Sequence, residues 1–218
     1  MPAEAITLPV VWCDFGGVLT APVAETLTSF CARISVPAPA LVTAMRTVAG
    51  QYGTNDIMEP LDTPLVSADE WTRQVEKCLL DEHHITADLS NFARDWFTGR
   101  PANTDLIDYL WELKKAGIFV GMLSNMVPDF EPYWPNMVSP DLFDCLVFSY
   151  QVGVRKPDQR IYALAEERSS AKPSSCILID DLLENCAGAR AAGWKAIEFH
   201  ANDEALHQMR QWIGTADA

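Results

Sequence analysis

The sequence predicts an α/β protein: a doubly wound, Rossmann-like parallel sheet with a helical module inserted after its first strand. Three observations predict it. Short apolar runs recur along the chain and alternate with amphipathic helical stretches, a rhythm that right-handed crossovers fold into a parallel sheet covered on both faces. Several of these runs end in a polar residue beside a turn, as strands do at the carboxyl edge of such a sheet. Between residues 21 and 100 the alternation lapses and only helical spacings remain. A chain of 218 residues suits one core carrying an insert better than two independent domains. We therefore assign 1–20 and 101–218 to the core and 21–100 to the insert.

Taken in order, Leu8 to Asp14 is an apolar run closed by a carboxylate and followed by Gly16-Gly17, which reads as a buried strand opening into a turn. In the insert, Pro22 opens a pattern placing Val23, Leu27, Phe30 and Ile34 on one helical face. Ser67-Ala-Asp-Glu70 is a capping box ahead of Trp71, Val75 and Cys78. Leu89, Phe92 and Trp96 form another helical set, and the stretch around 50–66, rich in Gly, Pro and Asp, reads as a loop or hinge. The core resumes with a helix carrying Leu106, Leu110 and Leu113, closed by Lys114, Lys115 and Gly117. Further strands are expected at Ile118–Ser124, Cys145–Ser149, Cys176–Asp180 and Ala196–Phe199, with a helix ending at Gly193 before the last.

Composition narrows the partners. The net charge is −14, from 30 acidic and 16 basic residues. Such a surface repels nucleic-acid backbones and anionic membranes, so neither is expected as a partner. An anionic substrate would need a local cation to enter, which makes a metal plausible. The apolar run Ile6–Trp12 is too short for a membrane span and lacks a basic flank. Six cysteines without any C-x-x-C spacing read as buried thiols. Together these suggest a cytoplasmic protein; nothing in the sequence fixes its oligomeric state.

Asp14, Ser124 and the pair Asp180-Asp181 each end an apolar run, and Lys156 follows the third run closely. Each has a plain explanation alone: a strand-end Asp caps a turn, and a Lys before Pro157 is ordinarily solvated. Converging at one sheet edge, they match the needs of phosphate-ester hydrolysis. A strand-end carboxylate, Asp14, can attack phosphorus. Mg²⁺ would neutralise the two anions and take oxygen ligands from Asp14, Asp181 and the Gly16 carbonyl. Ser124 and the amides after it can hold phosphoryl oxygens, and Lys156 supplies a fixed positive charge.

The segments carrying these residues are Val10-Val-Trp-Cys-Asp-Phe-Gly-Gly-Val-Leu19, Gly121-Met-Leu-Ser-Asn125, Gly153-Val-Arg-Lys-Pro157 and Ile177-Leu-Ile-Asp-Asp-Leu-Leu-Glu-Asn185. In order, they resemble the motifs of the haloacid dehalogenase superfamily, most nearly the subgroup of glucose-1-phosphate phosphatase and the phosphatase domain of soluble epoxide hydrolase. The resemblance implies a haloacid dehalogenase-like core with a C1-type helical cap and a small phosphorylated metabolite as substrate. Asp14 becomes nucleophile and metal ligand, Ser124 and Asn125 bind the phosphoryl group, and Lys156 balances its charge. Asp181 is implied as a direct metal ligand, while Asp180 and Asn185 support the metal and orient Lys156.

One departure matters. Most related phosphatases carry a second Asp two residues after the nucleophile, as general acid and base; this chain has Gly16, and in this it resembles the glucose-1-phosphate phosphatase type. General acid–base catalysis is typically worth ~10²–10⁴-fold, so a good leaving group, a proton donor from the insert or slow turnover is implied. Other chemistries also use this residue set. A 2-haloacid dehalogenase needs the Asp, Ser-Asn and Lys but gives Asp180-Asp181 little purpose. A prenyl-diphosphate enzyme would use the insert's aromatics (Phe30, Tyr52, Trp71, Phe92, Trp96, Phe97) as a lipophilic lining, although these also suffice as the insert's own core. A non-catalytic binding protein would leave the retained Asp14, Lys156 and Asp181 unexplained.

Overall fold

The computed structural model describes residues 8–214. Strand β1 (Val10–Cys13) is followed by a tight turn through Phe15–Leu19 and then by helices α1 (Val23–Ile34), α2 (Ala38–Gln51), α3 (Glu59–Asp62), α4 (Ala68–His83) and α5 (Phe92–Phe97). The alternation resumes with α6 (Thr104–Lys115), β2 (Phe119–Ser124), β3 (Cys145–Phe148), α7 (Ser149–Val152), α8 (Gln159–Ser169), β4 (Cys176–Asp180), α9 (Leu183–Ala191), β5 (Lys195–Glu198) and α10 (Asn202–Ile213). The strands form one parallel sheet in the order β3-β2-β1-β4-β5. The predicted doubly wound α/β architecture is the one observed.

Two-residue periodicity splits the strands between two apolar layers. Val11, Cys13, Val120, Met122, Ile177 and Ile179 point to a layer shared with α6, α10 and the insert. Val10, Trp12, Leu123 and Leu178 point to the other, under α8 and α9. Trp12 is wholly buried beside its register partner Gly121, where a Cβ would lie 2.4 Å from the indole ring. A residue larger than glycine at 121 would push this ring from the middle of the sheet.

The insert is entered and left side by side. Ala21 N–H donates to the Pro101 carbonyl at 3.1 Å and Asn103 N–H to the Leu19 carbonyl at 2.9 Å, around an antiparallel bridge between Thr20 and Ala102. Ser67 caps α4 by accepting from the Glu70 N–H, while the Glu70 carboxylate turns to Gln74 and Arg73 instead of closing the capping box. Two features differ from expectation. Helix α2 is not among the expected elements, yet it buries Leu41, Ala44, Met45, Val48 and Ala49 on one face at helical spacing. The 50–66 stretch contains α3 and is pinned rather than free. Arg155 pairs with Asp56 at 2.7 Å, Asp62 at 3.0 Å and Glu59 at 3.6 Å. All six cysteines are free thiols, and among the described residues no single helix is long and apolar enough to cross a membrane.

Candidate active site

The sheet order places β2, β1 and β4 side by side, so Ser124, Asp14 and Asp180-Asp181 emerge at neighbouring strand ends. Asp14 N–H still donates to the Ile179 carbonyl at 2.9 Å, which anchors its backbone to the sheet. Lys156 is 1% exposed and its Nζ donates to Asp14 Oδ1 at 2.8 Å and Asp180 Oδ2 at 2.5 Å. Burial works against its charge, but Asp14 and Asp180 outweigh this and hold the ammonium well above its ordinary range. Ser124, nearly buried, sets its hydroxyl against the Asp14 carboxylate.

Two expected residues have their side chains occupied. The Asn125 amide donates to the Lys156 carbonyl at 3.0 Å and accepts from the Lys156 N–H at 2.8 Å. It therefore fixes the lysine's backbone, leaving the main chain at 125, not the side chain, to meet a phosphoryl group. Asp180 accepts from the Leu182 N–H and from Asn185 Nδ2, both at 2.9 Å on Oδ1, while Oδ2 meets Lys156. Both its oxygens carry hydrogen bonds, so it positions the lysine while still standing in the cluster with Asp14 and Asp181. Asn185 in turn orients Asp180 and is itself buried.

Asp181 is different. Lys156 pairs with Asp14 and Asp180 but not with Asp181. Burial, then the charges of Asp14 and Asp180, push its carboxyl up to about 7. Oxygens of Asp14, Asp180 and Asp181 all lie within 4.8 Å of one another. A compact carboxylate set with charge left over after its one lysine fits a hard divalent cation. Gly17, which sequence reading took only as a turn residue, makes this approach possible: at φ +80, its Cβ would lie 2.2 Å from Asp181 Oδ2. Gly16, by contrast, has φ −74 and ψ 123, a conformation open to any residue.

A family model for haloacid dehalogenase-like hydrolases matches residues 9–193. The chain belongs to this family. A sesquiterpene phosphatase of Aspergillus oryzae is 32% identical over 106 residues, covering 48% of this chain and 54% of that protein. A bifunctional epoxide hydrolase of mouse is 25% identical over 221 residues, 96% of this chain and 40% of that protein. The chain thus spans about half the length of these relatives or less. Among solved structures, a family enzyme of Bacteroides thetaiotaomicron in complex with magnesium and inorganic phosphate superposes with a TM-score of 0.69 at 18% identity, covering 94% of this chain and 100% of that one. At that identity the likeness speaks for the fold.

In this haloacid dehalogenase-like hydrolase, Asp14, Lys156 and Asp181 open into a cavity of about 270 Å³ between the sheet edge and the insert. Its walls are mostly apolar, with Leu27, Phe30, Met45, Ile57, Trp96 and Phe130 among them. Of the insert aromatics considered above, Phe30, Phe92 and Trp96 line the cavity. Trp71 is sealed in the interior, and Phe97 packs on Phe15, Phe130 and Tyr133. Arg100, just past α5, also faces this cavity; a lone arginine after a helix carries no sequence signal for such a place.

Proposed function

We propose that the protein is a Mg²⁺-dependent phosphatase that hydrolyses a small phosphorylated compound with an apolar body, through an aspartyl-phosphate on Asp14. The observation that carries this reading is a strand-end carboxylate, Asp14, held by a buried lysine beside the uncompensated acid Asp181, at the floor of an apolar cavity. The phosphatase names among the relatives support it. Asp14, Asp181 and the Gly16 carbonyl would hold the ion, whose charge would let carboxylate and phosphoryl group approach. Asp14 forms the new bond to phosphorus while Lys156 and the Ser124 hydroxyl hold the phosphoryl oxygens. Water then cleaves the acyl phosphate and returns Asp14 as a carboxylate. Helices α1–α5 serve as the cap that keeps bulk water out and selects the substrate body. We place the protein in the reducing cytoplasm, in keeping with its free thiols. A dehalogenase reading would leave Asp181 idle.

The test is orthophosphate release from para-nitrophenyl phosphate and from polar and apolar phosphate esters, with Mg²⁺ or with EDTA. Release is expected with Mg²⁺, lost in EDTA, and absent in Asp14→Asn at unchanged unfolding temperature. Release that survives EDTA, or an Asp14→Asn protein retaining more than a few per cent of turnover, would falsify the metal-assisted covalent route.

A further inference from the structure

We infer that Arg100 is the receptor for a second phosphate, and that the substrate is an organic diphosphate with an apolar chain, cleaved at its phosphoanhydride bond. The inference rests on the phosphatase reading above and deepens it.

Arg100 is a half-buried cation with no acid at salt-bridge distance among the described residues. Its guanidinium lies over the rings of Phe15, Trp96 and Phe97 at 5.6, 5.8 and 5.9 Å. Its Nε is buried without a hydrogen bond, and Nη2 reaches the Ala21 carbonyl only at 3.5 Å. Among the described residues no carboxylate lies within salt-bridge distance of it, in a chain with 30 acids. A buried, unsatisfied donor on a charged group is costly unless a ligand completes it. Burial draws the guanidinium down to about 10, so it stays charged at neutral pH. The charges of Asp14 and Asp181 support it from a distance, but no acid meets the guanidinium directly in the cavity it shares with Asp14 and Lys156.

Its place relative to residue 16 gives it a purpose. A Cβ on Gly16 would lie 3.6 Å from Arg100 Nη2. A carboxylate at 16 would thus reach the guanidinium and neutralise it, whereas glycine leaves it free. The two departures from a simple phosphatase site, no acid at 16 and an unpaired cation beside it, are then one adaptation.

The chemistry follows. An alkoxide leaving group needs a proton from a general acid; a phosphate leaving group departs as a stable anion. Asp14 attacks the terminal phosphorus, forming a carboxylate–phosphorus bond and breaking the bond to the bridging oxygen. The electron pair stays on that oxygen, which becomes a terminal oxygen of the monophosphate product, met by the planar fork of Arg100. Water hydrolyses the acyl phosphate to orthophosphate and a proton. The sum is diphosphate plus water giving monophosphate plus orthophosphate. The apolar walls take the carbon chain.

The experiment compares geranyl diphosphate, geranyl monophosphate and para-nitrophenyl phosphate, with Mg²⁺, on wild type, Arg100→Gln, Arg100→Lys and Gly16→Asp. Wild type should convert the diphosphate to monophosphate and orthophosphate faster than it cleaves the monophosphate. Losing a charge-assisted contact should lower kcat/KM for the diphosphate, relative to para-nitrophenyl phosphate, by about 10- to 100-fold in Arg100→Gln. Arg100→Lys should recover part of the loss. Gly16→Asp leaves Arg100 in place but pairs it, so the same ratio should fall there even if Arg100→Gln does not fold. The inference is overturned if wild type prefers the monophosphate, if pyrophosphate is the product, or if Arg100→Gln or Gly16→Asp lowers all substrates alike. In each of those cases the wild-type protein would still hydrolyse para-nitrophenyl phosphate with Mg²⁺. Its absence in wild type would instead strike the phosphatase reading itself.

Discussion

Gly17 and Gly16 are adjacent, yet the structure asks opposite things of them. Gly17 combines φ +80 with an Asp181 oxygen where its Cβ would stand, so a side chain there strains the backbone and displaces the carboxylate. Gly17→Ala should therefore raise the Mg²⁺ concentration needed for half-maximal activity by about tenfold or more, if loss of one metal ligand's placement weakens the ion by at least ~1.4 kcal/mol. Gly16→Ala, meeting only ordinary contacts at 3.6 Å, should shift that midpoint much less. A magnesium titration of both variants decides it; equal shifts would mean that Asp181 does not hold the ion. The sequence made Asp14, Ser124, Lys156 and Asp180-Asp181 legible because each sits at a strand end or beside one. It could not separate the two glycines, because what distinguishes them is a side chain from a distant strand. The resemblance already implied that Asp180 orients Lys156; that the Asn125 side chain is engaged by the lysine's backbone it could not show, since that is a matter of hydrogen-bond geometry.

At the scale of elements, the insert is fastened to the core by charge as well as by apolar packing. Helix α3 and the residues before it gather Asp56, Glu59 and Asp62 onto Arg155, next in sequence to the buried Lys156. The Ser149 hydroxyl adds a bond to the Asp62 carbonyl at 2.6 Å. Three acids on one guanidinium leave an excess of negative charge. Burial pushes the Asp62 carboxyl up from 3.8 to about 7, with Arg155 opposing and Asp56 and Glu59 assisting. Because the folded pKa exceeds the unfolded one, the native state holds the extra proton between these values. Stability attributable to Asp62 then falls as pH rises from about 4 to about 7 and is fully lost above. Asp62→Asn should raise the unfolding temperature relative to wild type at pH 8, with the gap narrowing as pH falls and nearly closing at pH 4. If the variant unfolds earlier at both pH values, the pair with Arg155 outweighs the burial. None of this was readable beforehand: the composition of 50–66 speaks of turns, and the helix and its clasp arise from tertiary contact with Arg155. The five strands, by contrast, announced themselves because a parallel strand buried on both faces is apolar throughout.

Across the whole molecule, a chain of net charge −14 turns inward three cations, Arg100, Arg155 and Lys156, around one cavity. The composition alone implied that an anionic substrate needs a local cation; of these three, Arg155 is already matched by its acids, which leaves Lys156 and Arg100 to face the cavity. The two apolar layers of the sheet have a separate, optical consequence. Of the seven tryptophans, Trp12 and Trp194 lie stacked 6.4 Å apart in the layer remote from the site, while Trp96 lines the cavity under the Arg100 guanidinium. Indole emission responds to the polarity and charge around the ring, so Trp96, the tryptophan among the cavity's lining residues, carries the variable signal over a background from the other six. Titrating the non-hydrolysing Asp14→Asn protein with geranyl diphosphate should change its tryptophan fluorescence saturably, and Trp96→Phe in that background should abolish the change. A signal that persists without Trp96 would place the ligand elsewhere. The cavity would then have its own built-in fluorophore, reporting occupancy in a protein that has been stopped from turning over.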